Sequence, residues 1–114
     1  MMKKIEAYIR PEKLEDIKSL LAELDLNGLS MSQVMGFGRQ KGWKEFVRGT
    51  EIDYNFLPKI KLEIVVADED VENIVSKITE TACTGSVGDG KIFISDVNDA
   101  IRIRTKERGM DAIK

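Results

Sequence analysis

The segment Lys59-Ile-Lys-Leu-Glu-Ile-Val-Val66 decides the fold, because its side chains alternate in character along most of its length. Every second residue from Ile60 to Val66 is apolar, and Lys61 and Glu63 lie between them. Successive side chains of a strand point to opposite faces of the sheet, so this alternation predicts a half-buried strand. The remaining elements can be placed around it.

The sequence on either side of this strand predicts four further strands and two helices. Pro11 begins an amphipathic helix that ends near Asn27-Gly28, and Asp68 caps a second one that ends before Gly85. The further strands are residues 4–10, 30–37, 91–97 and 100–105. The order strand, helix, strand, strand, helix, strand is typical of the ferredoxin-like (βαββαβ) α+β fold. Both helices would then cover one face of an antiparallel sheet, and the other face would be left for partner subunits.

The composition predicts one small cytoplasmic domain over residues 1–114. Lys and Arg number 18 against 20 Asp and Glu, and the net charge of −2 argues against a broad nucleic-acid surface. The chain has no histidine, which excludes serine triads and His-ligated zinc. We expect its one cysteine, Cys83, to be a small buried residue of the second helix. Residues 1–10 lack the apolar core of a signal peptide.

Residues 38–57 show no periodic pattern, and a loop of this length is unusual in so small a domain. Aromatic side chains such as Trp43 and Tyr54 alternate there with basic residues such as Arg48, a mixture that is typical of binding surfaces. The alternative is a hairpin extension that packs on its own domain. We favour a functional loop.

The segment Gly85-Ser-Val-Gly-Asp-Gly-Lys91 has the spacing of a P-loop, but Ile92 replaces the required Ser or Thr and a strand follows instead of a helix. The glycines still allow main-chain N–H groups to approach an anion next to Lys91, although a plain tight turn explains them equally well. Arg102 and Arg104, two apart on the last predicted strand, could clamp phosphates. The alternative is that they protect an exposed sheet edge.

Five segments, in this order and at this spacing, resemble the nitrogen-regulatory P-II signalling protein family over essentially the whole chain. They are Gly36-Phe-Gly-Arg-Gln-Lys-Gly42, Arg48-Gly-Thr-Glu51, Phe56-Leu-Pro-Lys-Ile-Lys-Leu-Glu63, residues 84–93 with Gly88-Asp-Gly-Lys91 at their centre, and Ile101-Arg-Ile-Arg-Thr105. The resemblance implies a non-enzymatic homotrimer that binds ATP or ADP in the clefts between subunits. Residues 38–57 would be its T-loop, which contacts targets such as an ammonium transporter, glutamine synthetase or nitrogenase.

The resemblance also implies roles for particular residues. The nucleotide would be held by Ser30, Gly38, Gly88, Asp89, Gly90, Lys91, Arg102 and Arg104. The second ligand, 2-oxoglutarate, would be held by Arg10, Gln40, Lys41, Gly42 and Lys59. Gln40 would also coordinate a Mg²⁺ ion shared with ATP, since a bridging cation relieves the repulsion between a triphosphate and a dicarboxylate. The residues expected to meet target proteins are Trp43, Phe46, Arg48, Ile52 and Tyr54.

The position that carries a nucleotidylated tyrosine in the family holds Ile52 here, which has no hydroxyl group. We therefore predict control by ligands alone, with the status of Thr50 and Tyr54 left open. Two other functions fit parts of the sequence: a ferredoxin-like RNA-binding module, which would lack paired base-stacking aromatics, and a slow nucleotide hydrolase, for which no residue that positions water is evident.

Overall fold

The computed structural model describes residues 1–26, 28–38, 45–47, 50–52 and 55–114. Four strands form an antiparallel sheet in the order β2-β5-β1-β6. Their bounds are β1 Met2–Ile9, β2 Ser30–Gly38, β5 Asn55–Ala67 and β6 Gly90–Val97. The predicted ferredoxin-like arrangement is confirmed. The long alternating segment forms the strand β5, which pairs with both β1 and β2.

Two helices, α1 (Leu14–Glu23) and α2 (Val71–Ala82), cover one face of the sheet. Apolar residues of the helices, such as Ile17 and Ile78, share one buried cluster with Ile5 of β1 and Leu62 of β5. Every second residue from Ile5 to Ile9 in β1 and from Ile60 to Val66 in β5 enters this cluster, which explains why alternation in the sequence predicts the sheet. No helix in the described part of the chain is long and apolar enough to cross a bilayer.

The beginnings of both helices differ from the prediction. Each is preceded by a short 3-10 turn, at Pro11–Lys13 and at Asp68–Asp70. Asp68 opens the second of these turns and makes no side-chain cap to it or to α2. The acidic side chains of the turn still lie where the helix dipole favours negative charge.

The predicted long loop contains regular structure in its described residues. β2 and β5 extend as a paired ladder to Gly38 and Asn55, and two short strands, β3 (Glu45–Val47) and β4 (Thr50–Ile52), pair with each other. These parts of the segment therefore form paired strands. Residues 39–44, 48–49 and 53–54 lie outside the described chain.

The predicted strand over residues 100–105 is wrong. Only an isolated bridge joins Ile101 to Arg108 there, and the chain between them turns back on itself. Lys106, at φ 65°, makes the turn, and its N–H donates to the carbonyl of Arg102 over 2.7 Å. Alternating apolar and polar residues require only that one side of the segment is apolar and the other polar. A strand also needs a neighbouring strand to pair with, and among the described residues this segment has none. A short helix, α3 (Met110–Ile113), follows.

Candidate anion-binding site

A glycine loop, residues 84–90, connects α2 to β6 and is organised by the carboxylate of Asp89. The main-chain N–H groups of Thr84 and Gly85 donate to Asp89 Oδ2 over 2.8 and 2.9 Å. The Thr84 hydroxyl also hydrogen-bonds to Asp89 Oδ1, and Arg10 Nε donates to that oxygen over 2.9 Å. One carboxylate therefore closes the loop on itself and ties it to the end of β1.

These contacts change the acidity of Asp89. The hydrogen bond from the Thr84 hydroxyl, followed by that from Arg10, holds the pKa of the Asp89 carboxyl well below its ordinary value. All of these groups favour the ionised form, because each donates a hydrogen to it. The carboxylate therefore keeps its negative charge across the neutral pH range.

Two cationic side chains from the sheet hold main-chain carbonyls of the same loop. Arg10 Nη2 donates to the Val87 carbonyl over 2.7 Å, and Lys59 Nζ donates to the Gly88 carbonyl. In a trans peptide the N–H points away from the C=O of the same unit. The N–H groups of Gly88 and Asp89 therefore face away from these two cations, and within the described residues no acceptor takes either of them. Consecutive free N–H groups of this kind make an anion-binding concavity.

Glycine is required where the loop enters β6. Gly90 has φ +109°, and a Cβ there would lie 1.7 Å from the Tyr8 carbonyl oxygen. Gly88 has φ +100°, and its Cβ would lie 3.3 Å from Arg10 Nη2. A side chain at either position would collide with the groups that shape the loop or distort the backbone, so these glycines serve close approach as well as turning.

The C-terminal segment, residues 99–114, contains the other predicted phosphate ligands. Arg102 Nη1 donates to Glu107 Oε1 over 2.8 Å, and Arg102 Nη2 donates to the main-chain oxygen of Lys114. Arg104 is exposed. Because the strand predicted here is absent, the two arginines do not project side by side from one strand face. If the two arginines bind phosphate, they do so from a segment that turns back on itself and not from a strand.

The structure separates the two groups of predicted nucleotide ligands. Gly90 pairs with Ile9, whereas Val97 pairs with Met2, so the glycine loop and the C-terminal segment lie at opposite ends of β6. Eight strand residues place these ends about 23 Å apart at roughly 3.3 Å per residue. Ser30 pairs with Glu63, which lies level with Glu6 and Phe93 near the middle of the sheet, so Ser30 belongs to neither end. The predicted nucleotide ligands of one chain therefore form two separate groups, at the glycine loop and in the C-terminal segment, which we call the half-sites.

The remaining predicted residues fall into three groups. Lys59 and Arg10 are together at the glycine loop, as described above, and Lys91 is exposed on β6. Gly38 ends β2, and Phe46 and Ile52 belong to β3 and β4. The predicted residues outside the described chain are Gln40, Lys41, Gly42, Trp43, Arg48 and Tyr54.

Cys83 is exposed, so the prediction of a buried cysteine is wrong. The helix α2 ends at Ala82, and Cys83 already has an extended backbone, with φ −72° and ψ 128°. Its side chain therefore leaves the apolar stripe of the helix. Cys83 lines the rim of a cavity of about 290 Å³ between α2 and β6, which Asp89 and Lys91 also line.

The sheet face opposite the helices has both aromatic and charged side chains. Tyr8 and Phe93 meet edge to face, with ring centroids 6.0 Å apart. Next to them Lys61 lies 3.2 Å from Glu63 and 3.7 Å from Glu6. The hydrogen bond to Glu63 raises the pKa of Lys61. More than half of the Phe93 surface, 55%, is exposed in the single chain, so this face has apolar area available for a partner.

Sequence reasoning missed two residues of these half-sites, Thr84 and Glu107. Thr84 anchors Asp89 from five positions away, and Glu107 is the counter-ion of Arg102. An aspartate between two glycines, with a threonine just after a helix, is a recognisable signal for a side-chain-closed turn. Glu107 gives no such signal, because its role depends on the reversal of the chain at Lys106.

The fold and the paired half-sites define a small ferredoxin-like protein with a glycine loop suited to anions. The profile of the family described as "Nitrogen regulatory protein P-II" matches residues 2–107. A nitrogen regulatory protein P-II of Rhizobium meliloti is 53% identical over 112 residues, which cover 98% of this chain and 100% of that protein. The chain belongs to the P-II family and is therefore a regulatory signal-transduction protein, not an enzyme.

Two solved structures are similar to this chain over nearly its whole length. B. subtilis GlnK is 38% identical with a TM-score of 0.81, and covers 97% of each chain. The PII protein of Arabidopsis thaliana, solved with bound citrate, is 39% identical with a TM-score of 0.78, over 97% of this chain and 91% of that one. The family regulates nitrogen metabolism and acts on target proteins, and its members bind small effector molecules.

Proposed function

We propose that this protein senses ATP or ADP and, together with Mg-ATP, 2-oxoglutarate, and that it regulates nitrogen-metabolism proteins through the segment 38–57. The observation that carries the proposal is the glycine loop, whose carbonyls face Arg10 and Lys59 while consecutive N–H groups face outward. This arrangement suits the phosphates of a nucleotide, because fixed N–H dipoles stabilise anions without reorganisation.

The nucleotide would lie between subunits, since each chain has two half-sites about 23 Å apart along β6. The glycine loop of one copy would meet Arg102 and Arg104 of the next, with Ser30 near the nucleotide. A closed ring of such head-to-tail contacts is a cyclic oligomer, and we propose the homotrimer implied by the resemblance. The open sheet face, with Tyr8 and Phe93, would lie inside this assembly in the cytoplasm.

The second ligand, 2-oxoglutarate, would bind on the other side of the glycine loop. Lys59 lies on β5, four residues after Asn55, where the segment 38–55 joins the sheet. Its ammonium group and the guanidinium of Arg10 supply positive charge for a dicarboxylate, and Lys41 and Gly42 would complete the site. Mg²⁺ keeps water and phosphate oxygens as most of its ligands, so the single amide oxygen of Gln40 is a sufficient contribution from the protein.

With this geometry, ligand binding would affect the conformation of the target-binding segment 38–57. A dicarboxylate that binds Lys59 competes with the Gly88 carbonyl for the ammonium group and acts at the base of the β2–β5 ladder. Differential contacts of this kind are what allows a ligand to shift a conformational equilibrium. The side chains that would then meet targets are Trp43, Phe46, Arg48, Ile52 and Tyr54.

Titration calorimetry tests the proposal directly. The protein should bind 2-oxoglutarate when Mg-ATP is present and fail to bind it when nucleotide or Mg²⁺ is omitted. Binding of equal strength without nucleotide would contradict the bridged arrangement. Lys59→Met should abolish the 2-oxoglutarate signal, while ATP still binds but more weakly, because Lys59 also holds the Gly88 carbonyl. Lys77→Met, at an exposed lysine of α2, should change neither.

Control by ligands alone is a separate part of the proposal, because Ile52 cannot accept a nucleotidyl group. Mass spectrometry of the protein isolated from nitrogen-limited and nitrogen-rich cells should give the same mass for the peptide that contains Ile52. A mass increase of one nucleotidyl group on that peptide would overturn this part.

A further inference from the structure

The C-terminal segment places a side-chain carboxylate and a main-chain oxygen on the guanidinium group that is expected to bind phosphate. Glu107 Oε1 accepts from Arg102 Nη1 over 2.8 Å, and the Lys114 main-chain oxygen accepts from Arg102 Nη2. Both outer nitrogens of the guanidinium thus have protein acceptors. Each of these nitrogens carries two hydrogens, so a phosphate that takes the N–H groups already committed to Glu107 and Lys114 has to displace them.

The Glu107 carboxylate is held in place by its own surroundings. The Thr105 hydroxyl donates to the same Oε1 over 2.7 Å, and the Arg102 N–H donates to the Glu107 carbonyl over 2.9 Å. The Lys106 turn lies between these residues and closes with a hydrogen bond of 2.7 Å to Arg102. The Glu107 carboxylate is therefore held in position next to Arg102.

The second acceptor is positioned by packing at the same end of the sheet. Met110 and Ile113 of α3 line a cavity of about 350 Å³ together with the end of β5 and the α1–β2 connection. Lys114, which directly follows α3, supplies the oxygen to Arg102. The arginine thus links the α3 end of the chain to the turn at Lys106.

We infer that the Glu107 carboxylate competes with the nucleotide phosphates for Arg102. The C-terminal segment would thereby lower the affinity of the protein for nucleotide. The inference rests on the proposed function, in which Arg102 binds phosphate. Nucleotide binding then exchanges one anionic partner for another. The effect of Glu107 on nucleotide affinity is modest, because its ion pair with Arg102 is partly exposed to solvent: 30% of the Arg102 side chain and 44% of the Glu107 side chain are accessible.

The experiment is a titration of Mg-ATP into four variants of the full chain, followed by calorimetry. Glu107→Gln keeps the shape of the side chain but removes its charge, and we expect it to tighten ATP binding about two- to fivefold, the range for an exposed ion pair. Glu72→Gln, on the exposed face of α2, makes the same change in net charge and controls for it. Arg102→Gln should weaken binding, and Arg102→Gln combined with Glu107→Gln should bind no tighter than Arg102→Gln alone.

The outcomes separate the inference from the function on which it rests. If Arg102→Gln weakens ATP binding but Glu107→Gln is no tighter than Glu72→Gln, the competition is refuted and the nucleotide site stands. If Arg102→Gln leaves ATP binding unchanged, the proposed role of Arg102 fails and the inference fails with it. Thr105→Ala, which removes the hydroxyl that orients Glu107, provides an independent variant and should tighten binding in the same direction by a smaller factor.

Discussion

Gly90→Ala should disrupt the junction between the glycine loop and β6 more severely than any other glycine substitution considered. Its Cβ would lie 1.7 Å from the Tyr8 carbonyl oxygen, and the backbone φ of +109° is one that alanine rarely adopts. Relief of the clash requires β1 and β6 to separate where Ile9 pairs with Gly90. The neighbouring strand atoms are main chain, so no flexible side chain can move aside instead.

The magnitude follows from two costs. The unusual φ costs about 1–3 kcal/mol for a residue with a Cβ. An interrupted ladder hydrogen bond that leaves a buried group unsatisfied costs about 1–3 kcal/mol more. Together these lower the free energy of unfolding by roughly 1–5.5 kcal/mol, after a gain of about 0.4–1 kcal/mol from the stiffer unfolded chain.

Two other glycines provide matched controls. Gly85 also has positive φ, at +86°, but a Cβ there would meet nothing within 4 Å, so Gly85→Ala should cost only the backbone strain. A Cβ at Gly28 would likewise meet nothing within 4 Å, so we expect Gly28→Ala to be neutral or slightly stabilising. The expected order of stability is therefore Gly28→Ala, then Gly85→Ala, then Gly90→Ala.

The assay is urea unfolding followed by circular dichroism at 222 nm, with all proteins at the same concentration because assembly stabilises the folded chain. A midpoint for Gly90→Ala within the range of Gly85→Ala would refute the close approach of Tyr8 to position 90. A normal midpoint combined with lost ATP binding would place the role of Gly90 in the ligand site alone.

Three further predictions concern single groups. The pKa of Asp89 is lowered in the folded protein, so the ionised carboxylate stabilises the fold at pH values above the ordinary carboxyl range. The melting temperature of the wild type should therefore fall as the pH drops through the acid range, whereas that of Asp89→Asn should start lower and change less. Equal pH profiles for the two proteins would contradict this prediction. Lys106→Gly should raise the free energy of unfolding by about 1 kcal/mol in urea, because it removes a side chain at φ 65°, and a loss of stability would argue against that turn. Cys83 should react with Ellman's reagent in the native protein as fast as in urea to within about tenfold, and a thiol that reacts only after unfolding would count against its exposure.

The sheet and its two helices could be predicted from the sequence because their signals are local. Alternation from Ile60 to Val66 reports one buried and one open face, and the structure buries those apolar residues. The same rule failed at Ile101 and Ile103, where alternation coincides with a chain reversal. The pattern contains no information on whether a neighbouring strand is available, and Arg102 finds its partners in Glu107 and Lys114 instead.

The residues of the candidate site could be identified from the sequence, but the contacts between them could not. Gly88 and Gly90 mark a loop that allows close approach, and both have positive φ in the structure. The contacts of Arg10 with Val87 and Asp89 join residues 77 and 79 positions apart, and no local pattern predicts a pairing over such a separation. The exposure of Cys83 depends on the helix ending one residue earlier, and helix ends are the least certain feature of any pattern.

The central claim is that the outward-facing N–H groups of the glycine loop bind the phosphates of a nucleotide. Amide resonances of Gly88 and Asp89, followed by NMR during titration with Mg-ATP, test it most directly. The account predicts that these two amides shift with the largest amplitude and saturate at the stoichiometry measured by calorimetry, and that the shifts are absent with adenosine, which has no phosphate. Saturable ATP binding that leaves both amides unmoved would contradict it.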